Sequence, residues 1–184
     1  MPQSVPRSPL APAEFPAMPA VAGVRFATVE AGVRYTGRRD VMLALLDPGS
    51  VVAGVFTRSA TRSANVLDCQ TKIGGDSGDG AAIIVNSGNS NAFTGRAGGS
   101  ALTAICAALP ERTGLAPERV FTSSTGVIGE RLPHDRITAK IDALVANLSP
   151  DGIAEAAQAI MTTDTFPKGA TASVDLPGGT VRIA

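Results

Sequence analysis

The residues that most invite chemistry are Thr122-Ser123-Ser124-Thr125-Gly126, which follow the strand-like Arg119-Val120-Phe121. A strand ending in hydroxyls and a glycine leaves several O–H and backbone N–H donors close together. Such donors meet the oxyanion that develops in acyl transfer. The same residues also make an ordinary turn, since glycine accepts positive φ and Ser/Thr hydroxyls bond their own backbone. Asn86-Ser87-Gly88-Asn89-Ser90-Asn91 forms a second polar stretch, after the apolar run 81–85. Its asparagines suit a structured turn, or a polar loop of the kind that carries function at strand ends. The third stretch is Thr162-Thr163-Asp164-Thr165, expected just past a helix and closed by Pro167.

What accompanies these stretches limits the chemistry. His134 is the single histidine and stands where a helix should begin, so capping or exposure accounts for it. Nothing places it beside an elbow serine, so no Ser–His–Asp set is legible, and no close carboxylate pair suggests glycoside hydrolysis. Cys69 and Cys106 are far apart and form no CxxC pair, so the familiar Cys/His zinc sets cannot be completed and no metal is expected. Two free thiols are expected rather than a disulfide. The polar stretches are therefore either a binding site or half of an active site whose nucleophile lies elsewhere.

The elements that must position them follow from periodicity. Runs 24–29, 33–36, 41–46 and 51–57 are β-rich and separated by Gly/Asp/Pro turns, which predicts an antiparallel meander. Run 41–46 is apolar throughout, as in a strand covered on both faces. Residues 57–65 are expected as a helical turn or loop, 65–69 as a strand, and the glycine-rich 74–80 as a surface hairpin without ligand. Ser100 caps a predicted helix to Leu109. Ile137, Ile141, Leu144, Val145 and Leu148 predict a second helix, and Ser149-Pro150 opens a third. The chain then finishes as a hairpin, 172–176 and 180–183.

The 184 residues allow one domain or half of a larger enzyme. Apolar residues make up 44% and aromatics 4%, so the core is aliphatic. Sixteen basic residues balance sixteen acidic ones, which gives no general attraction for nucleic acid or an anionic membrane. A small-molecule partner fits better. Prolines at 2, 6, 9, 12, 16 and 19 break any signal-peptide core and mark residues 1–20 as an extended lead-in. A cytoplasmic location is expected.

Four motifs in order carry a family resemblance: Ala53-Gly54-Val55-Phe56-Thr57, the stretch Asn86–Ala92, Ser124-Thr125-Gly126-Val127-Ile128-Gly129, and Ile160-Met161-Thr162-Thr163-Asp164-Thr165-Phe166-Pro167-Lys168. Together they resemble the ornithine acetyltransferase (glutamate N-acetyltransferase) family of arginine biosynthesis, from about Val21 to the last residue. The resemblance implies a layered α/β sandwich shared with self-processing aminopeptidases, a mixed sheet with helices packed outside. It implies a precursor cut at an Ala–Thr bond into α and β chains, assembled as α2β2, with the new N-terminal Thr of the β chain as nucleophile. Residues 21–184 would be the α-chain domain, inactive without the β chain. Neither that junction nor the family's substrate-contacting Lys is present here. Matched by motif, the Thr125 hydroxyl and Gly126 N–H would form the oxyanion hole and Thr162 would contact substrate. Asn86, Asn89, Asn91 and Asp164 would support them. The substrates would be N-acetylornithine and glutamate, with no cofactor. Acetyl-CoA as a second donor stays open. A related self-processing aminopeptidase and a non-catalytic small-molecule-binding domain remain the alternatives.

Overall fold

A computed structural model describes residues 6–75 and 78–184. The β-branched runs pair into one mixed sheet: β1 (Val24–Val29), β2 (Val41–Leu46), β3 (Ala81–Asn89) and β4 (Val120–Val127), in that order. The first two pairings are antiparallel and β3–β4 is parallel. A parallel pair needs a crossover, here supplied by α2 (Gly95–Ala108) and α3 (Pro110–Thr113). The other helices are α1 (Ala64–Lys72), α4 (His134–Thr138), α5 (Ile141–Ala146) and α6 (Ile153–Ala159). A separate hairpin, β5 (Ala172–Leu176) with β6 (Gly179–Ile183), closes the chain. Residues 6–20 form neither helix nor strand, and Ser8 N–H donates to Thr165 Oγ1 at 3.3 Å.

Strand alternation sorts the core. Ala27, Val41, Leu43, Ala82, Ile84 and Val120 are buried beneath Ile105, Leu109, Ile137, Ile141 and Leu144 of the helical layer. The opposite face is thinner. Ala81 and Phe121 pack with Cys69, Val52 and Phe56 at one end, while Met42 and Val85 stay half-exposed and Ser123 exposed. No residue of the all-apolar β2 is exposed: Val41 and Leu43 are buried beneath the helical layer, and Ala44 is buried on the opposite face with Met42 and Leu46 half-buried beside it, close to the expected cover on both faces.

Several local expectations fail for identifiable reasons. No strand forms at 33–36, because the Asp40 carboxylate takes the N–H groups of Ala31 (2.7 Å) and Val33 (2.6 Å) that a ladder would use. Residues 51–57 run extended but unpaired, and 65–69 are helical. Ser63 caps that helix through Val66 N–H, and Asn65 and Cys69, four apart, face β4. Helix α2 begins at Gly95 rather than Ser100. Gly98 lies so close to Asn91 that a Cβ there would sit 2.7 Å from its Oδ1, so packing overrides glycine's poor propensity. The predicted 134–148 helix is two helices, tightened where Lys140 N–H bonds Ile137 O at 2.9 Å, yet the Ile137–Ile141–Leu144 stripe stays buried. The third helix starts at Ile153 because the Ser149 backbone is taken by Phe26, with bonds of 2.8 and 2.9 Å. The 74–80 hairpin includes residues 76 and 77, which lie outside the described residues.

Candidate active site

Ser124-Thr125-Gly126 is not a turn. Strand β4 continues to Val127, and β3 likewise runs through Asn86–Asn89, so two expected loops are one parallel strand end. Its register sets Asn86 opposite Ser124, Ser87 opposite Thr125 and Gly88 opposite Gly126. The two glycines make this continuation possible. Gly126 has φ 135 and Gly88 φ 99, a region L side chains rarely adopt. A Cβ on Gly126 would lie 2.6 Å from Gly88 O and Asn89 N; one on Gly88 would lie 2.7 Å from Arg34 Cβ.

Among the described residues the outer edge of β4 is capped only at its start. Lys72 Nζ donates to Val120 O at 3.0 Å and the Cys69 thiol to Thr122 O at 3.4 Å, both from α1, on the side away from β3. Val127 O instead accepts from Ser90 N–H at 2.9 Å, on the β3 side. Backbone groups alternate sides along a strand, so even-numbered residues of β4 face outward. The Gly126 N–H therefore points to the open edge. The half-buried Thr125 side chain shares the thinner face of the sheet with Phe121.

Behind Thr125, on the helical-layer face, runs a polar network. The Ser124 hydroxyl donates to Asn86 Oδ1 at 2.6 Å, and Asn86 Nδ2 donates to Asn89 O at 2.8 Å. Asn89 Oδ1 accepts from Asn91 N–H at 2.8 Å, while its amide reaches Glu130 O at 3.1 Å. Asn91 holds the start of α2 through Gly98 O (3.3 Å) and the Thr94 hydroxyl (2.9 Å). All three asparagines are buried. Buried amides with these partners stiffen the strand end.

Thr162 arrives from another direction. The buried Ser87 hydroxyl donates to Ala159 O at 2.7 Å, which ties the C-terminus of α6 to the residue opposite Thr125. Thr162, three residues on, donates its N–H to Asp164 Oδ2 at 3.3 Å. Lys168 pairs with that carboxylate and, with the Thr162 N–H, holds Asp164 below the ordinary aspartate range. Arg38 clamps the same turn through Met161 O at 2.6 Å while stacking over Tyr35.

Sequence reasoning singled out Thr125, Gly126, Thr162, the asparagines and Asp164; it named Ser87 and Ser124 within their polar stretches without giving them a role, and missed Arg38 and Asn65, whose Nδ2 donates to Thr122 Oγ1 at 3.0 Å. For the two serines the signal was parity. Ser124 and Asn86 occupy matching strand positions once the parallel register is known. His134 is the first residue of α4, half-buried. Cys69 and Cys106 are free and buried, and burial pushes both thiols up. Burial opposes the charge of neighbouring Lys72, but Asp68 and Cys106 outweigh it and leave the ammonium above its ordinary value. A groove of about 770 Å³ between α1 and α2, lined by Leu67, Phe93 and Leu102, contains none of the predicted site residues. Among the described residues no group of three or more His, Cys, Asp or Glu is placed to hold a metal, and no helix is long and apolar enough to cross a membrane.

The fold and site define a class: a layered α/β protein with a mixed sheet whose parallel strand end presents a hydroxyl and an outward N–H. The chain belongs to the ArgJ family, whose model matches residues 25–184. It is 63% identical to the arginine biosynthesis bifunctional protein ArgJ of Ruegeria pomeroyi over 177 residues, 96% of this chain and 43% of that protein. It is 48% identical to that of Gluconobacter oxydans over 183 residues, 100% of this chain and 42% of that protein. The chain thus spans less than half the length of the curated relatives it matches. Two solved structures share the fold. ArgJ of Bacillus halodurans gives a TM-score of 0.80 at 30% identity, covering 88% of this chain and 84% of that one. The ornithine acetyltransferase of Mycobacterium tuberculosis, solved with ornithine, gives 0.74 at 37% identity, covering 88% and 86%.

Proposed function

We propose that this chain is the α portion of a self-cleaving acetyltransferase that moves acetyl from N-acetylornithine to glutamate, with residues 21–184 as its domain and 1–20 as a lead-in. The observation that carries the reading is the Thr125 hydroxyl beside an outward Gly126 N–H on a rigid strand end, with no nucleophile paired to a base nearby among the described residues. A nucleophile from a second chain resolves that incompleteness. The match covers 84–86% of the solved relatives' chains but only 43% of the Ruegeria protein, which supports relatives divided into separate chains. The hairpin supports it too. Ala172, Val174, Leu176, Val181 and Ile183 share one face by register, and all are exposed.

The chemistry then needs no histidine. The N-terminal Thr of the second chain attacks the acetyl carbonyl while its own α-amine, with a reference pKa near ~8, takes the hydroxyl proton. Thr125 and Gly126 donate to the oxyanion. Its collapse expels ornithine, the amine taking that proton, and leaves an acetyl ester on the Thr. Glutamate's amine attacks the ester carbonyl and gives a proton to the α-amine; collapse breaks the bond from the Thr oxygen to the acetyl carbon, the α-amine returns the proton to that oxygen, and N-acetylglutamate departs with the Thr regenerated. Thr162 contacts substrate, and the reaction consumes no cofactor. An α2β2 assembly in the cytoplasm completes the reading.

The test is Thr125→Ala in the complete polypeptide, assayed with N-acetylornithine and glutamate, and separately with acetyl-CoA as donor. Loss of one oxyanion donor lowers kcat by about 100- to 1,000-fold. Unchanged turnover removes Thr125 from the mechanism.

A further inference from the structure

Residues 51–57 have the composition of a strand and none of its pairing. From Val51 to Ser59 the chain runs without turn or bend, and no backbone group of Val51–Phe56 makes a hydrogen bond among the described residues. It is nevertheless held in place. The buried Arg119 guanidinium reaches Ser50 O at 3.4 Å, and Val52 and Phe56 pack against the Cys69–Phe121 cluster. The alternate residues point the other way, with Val51 78% and Val55 99% exposed. An extended, anchored stretch that turns Val52 and Phe56 inward, leaves Val51, Ala53 and Val55 exposed and has unpaired amides is a ready template for another strand.

We propose that Val51–Phe56 pairs with a strand from the portion of polypeptide that the curated relatives carry and this chain lacks. This rests on the two-chain reading above. The relatives are more than twice as long as the segment matched here, so ample chain exists to supply the strand. Two neutral valines flanked by Ala53 and Gly54 suit an apolar strand rather than a charged ligand. Phe56 packs with Phe121, whose side chain lies on the same face as Thr125, about 13 Å along β4 at ~3.3 Å per residue. A strand seated here lies over the thin face of the sheet, beside the strand end that presents Thr125. The edge would thus position the second portion relative to the acyl site.

The experiment places p-benzoylphenylalanine at Val55 in the complete protein, irradiates it, and maps the cross-link by mass spectrometry. Acetyl transfer is measured on a parallel preparation of the unsubstituted protein. Hydrogen exchange of unsubstituted protein gives a second readout: alternate amides within 51–56 should exchange at least about tenfold slower than the intrinsic rate, as on a strand paired along one edge. A cross-link into the portion beyond this chain, with alternating protection, is the expected result. A cross-link to a second copy of this chain, no cross-link, or uniformly fast amides overturns the proposal. An active preparation with any of those outcomes leaves the acetyltransferase reading standing. An inactive one with the expected cross-link overturns that reading and keeps the strand docking.

Discussion

Gly126→Ala is the most direct perturbation of the parallel strand end. The added methyl meets Gly88 C and lies 2.6 Å from both Gly88 O and Asn89 N, all backbone atoms of β3 that no rotamer change can clear. The φ of 135 is itself unfavourable for any L side chain, at about 1–3 kcal/mol. Overpacking against a rigid neighbour adds about 1–3 kcal/mol. The sum, about 2–6 kcal/mol, corresponds to a fall in Tm of roughly 10 °C for a chain of this size, at ~2–4 °C per kcal/mol. Thermal unfolding followed by circular dichroism measures it. Gly99→Ala is the matched control, because a Cβ there meets nothing within 4 Å and the residue is helical. That control should gain about 0.5–1 kcal/mol. A Gly126→Ala protein melting within 2–3 °C of wild type, roughly 1 kcal/mol, would refute the close β3–β4 approach on which the outward Gly126 N–H depends.

Asp40→Ala should destabilise the chain by about 2–4 kcal/mol, read by urea titration, because the buried carboxylate holds Ala31 and Val33 N–H and both would be left unpaired. Lys72→Met should cost about 1–3 kcal/mol in the same titration, since it strips Val120 O and Asp68 of their shared, largely buried donor. Asp164 is depressed by Lys168 and the Thr162 N–H, so its contribution is present above the ordinary aspartate pKa of 3.8 and lost as pH falls through the lower folded value. NMR of the Thr162 amide should therefore show no change from pH 7 to about 4 and a shift only below, within the Asp titration range. Cys69 and Cys106 should react with a thiol reagent at pH 8 at least about 100-fold more slowly in the native than in the unfolded chain, because both are buried and burial raises both thiols.

Composition and periodicity were enough to locate β1, β2, the start of β3 and β4, the closing hairpin and the buried stripe of Ile137, Ile141 and Leu144. In these elements local pattern and tertiary burial agree. They failed where a distant group decides. Residues 33–36 lose strand pairing to a carboxylate seven residues from Val33, and α1 reads as a strand until its Asn65 and Cys69 face is matched to the edge of β4. Residues 51–57 fail in another sense. Val52 and Phe56 pack inward as they would in a strand, but the stretch has no strand partner among the described residues.

The polar strand end shows why spacing picked out the candidate residues but not the form they take. Taken one at a time, Ser-Ser-Thr-Gly and Asn-Ser-Gly-Asn are turn sequences, because each contains the glycine and hydrogen-bonding side chains that turns require. Placed side by side in parallel register, the same glycines serve a different need, letting two backbones approach to a distance that excludes a Cβ on Gly126. The hydroxyl and amide side chains then satisfy each other across the pair, as Ser124 does with Asn86. A turn would have let Gly126 N–H find a partner within its own loop. A strand directs it outward at an edge uncapped there among the described residues, which is the orientation that the proposed oxyanion role requires.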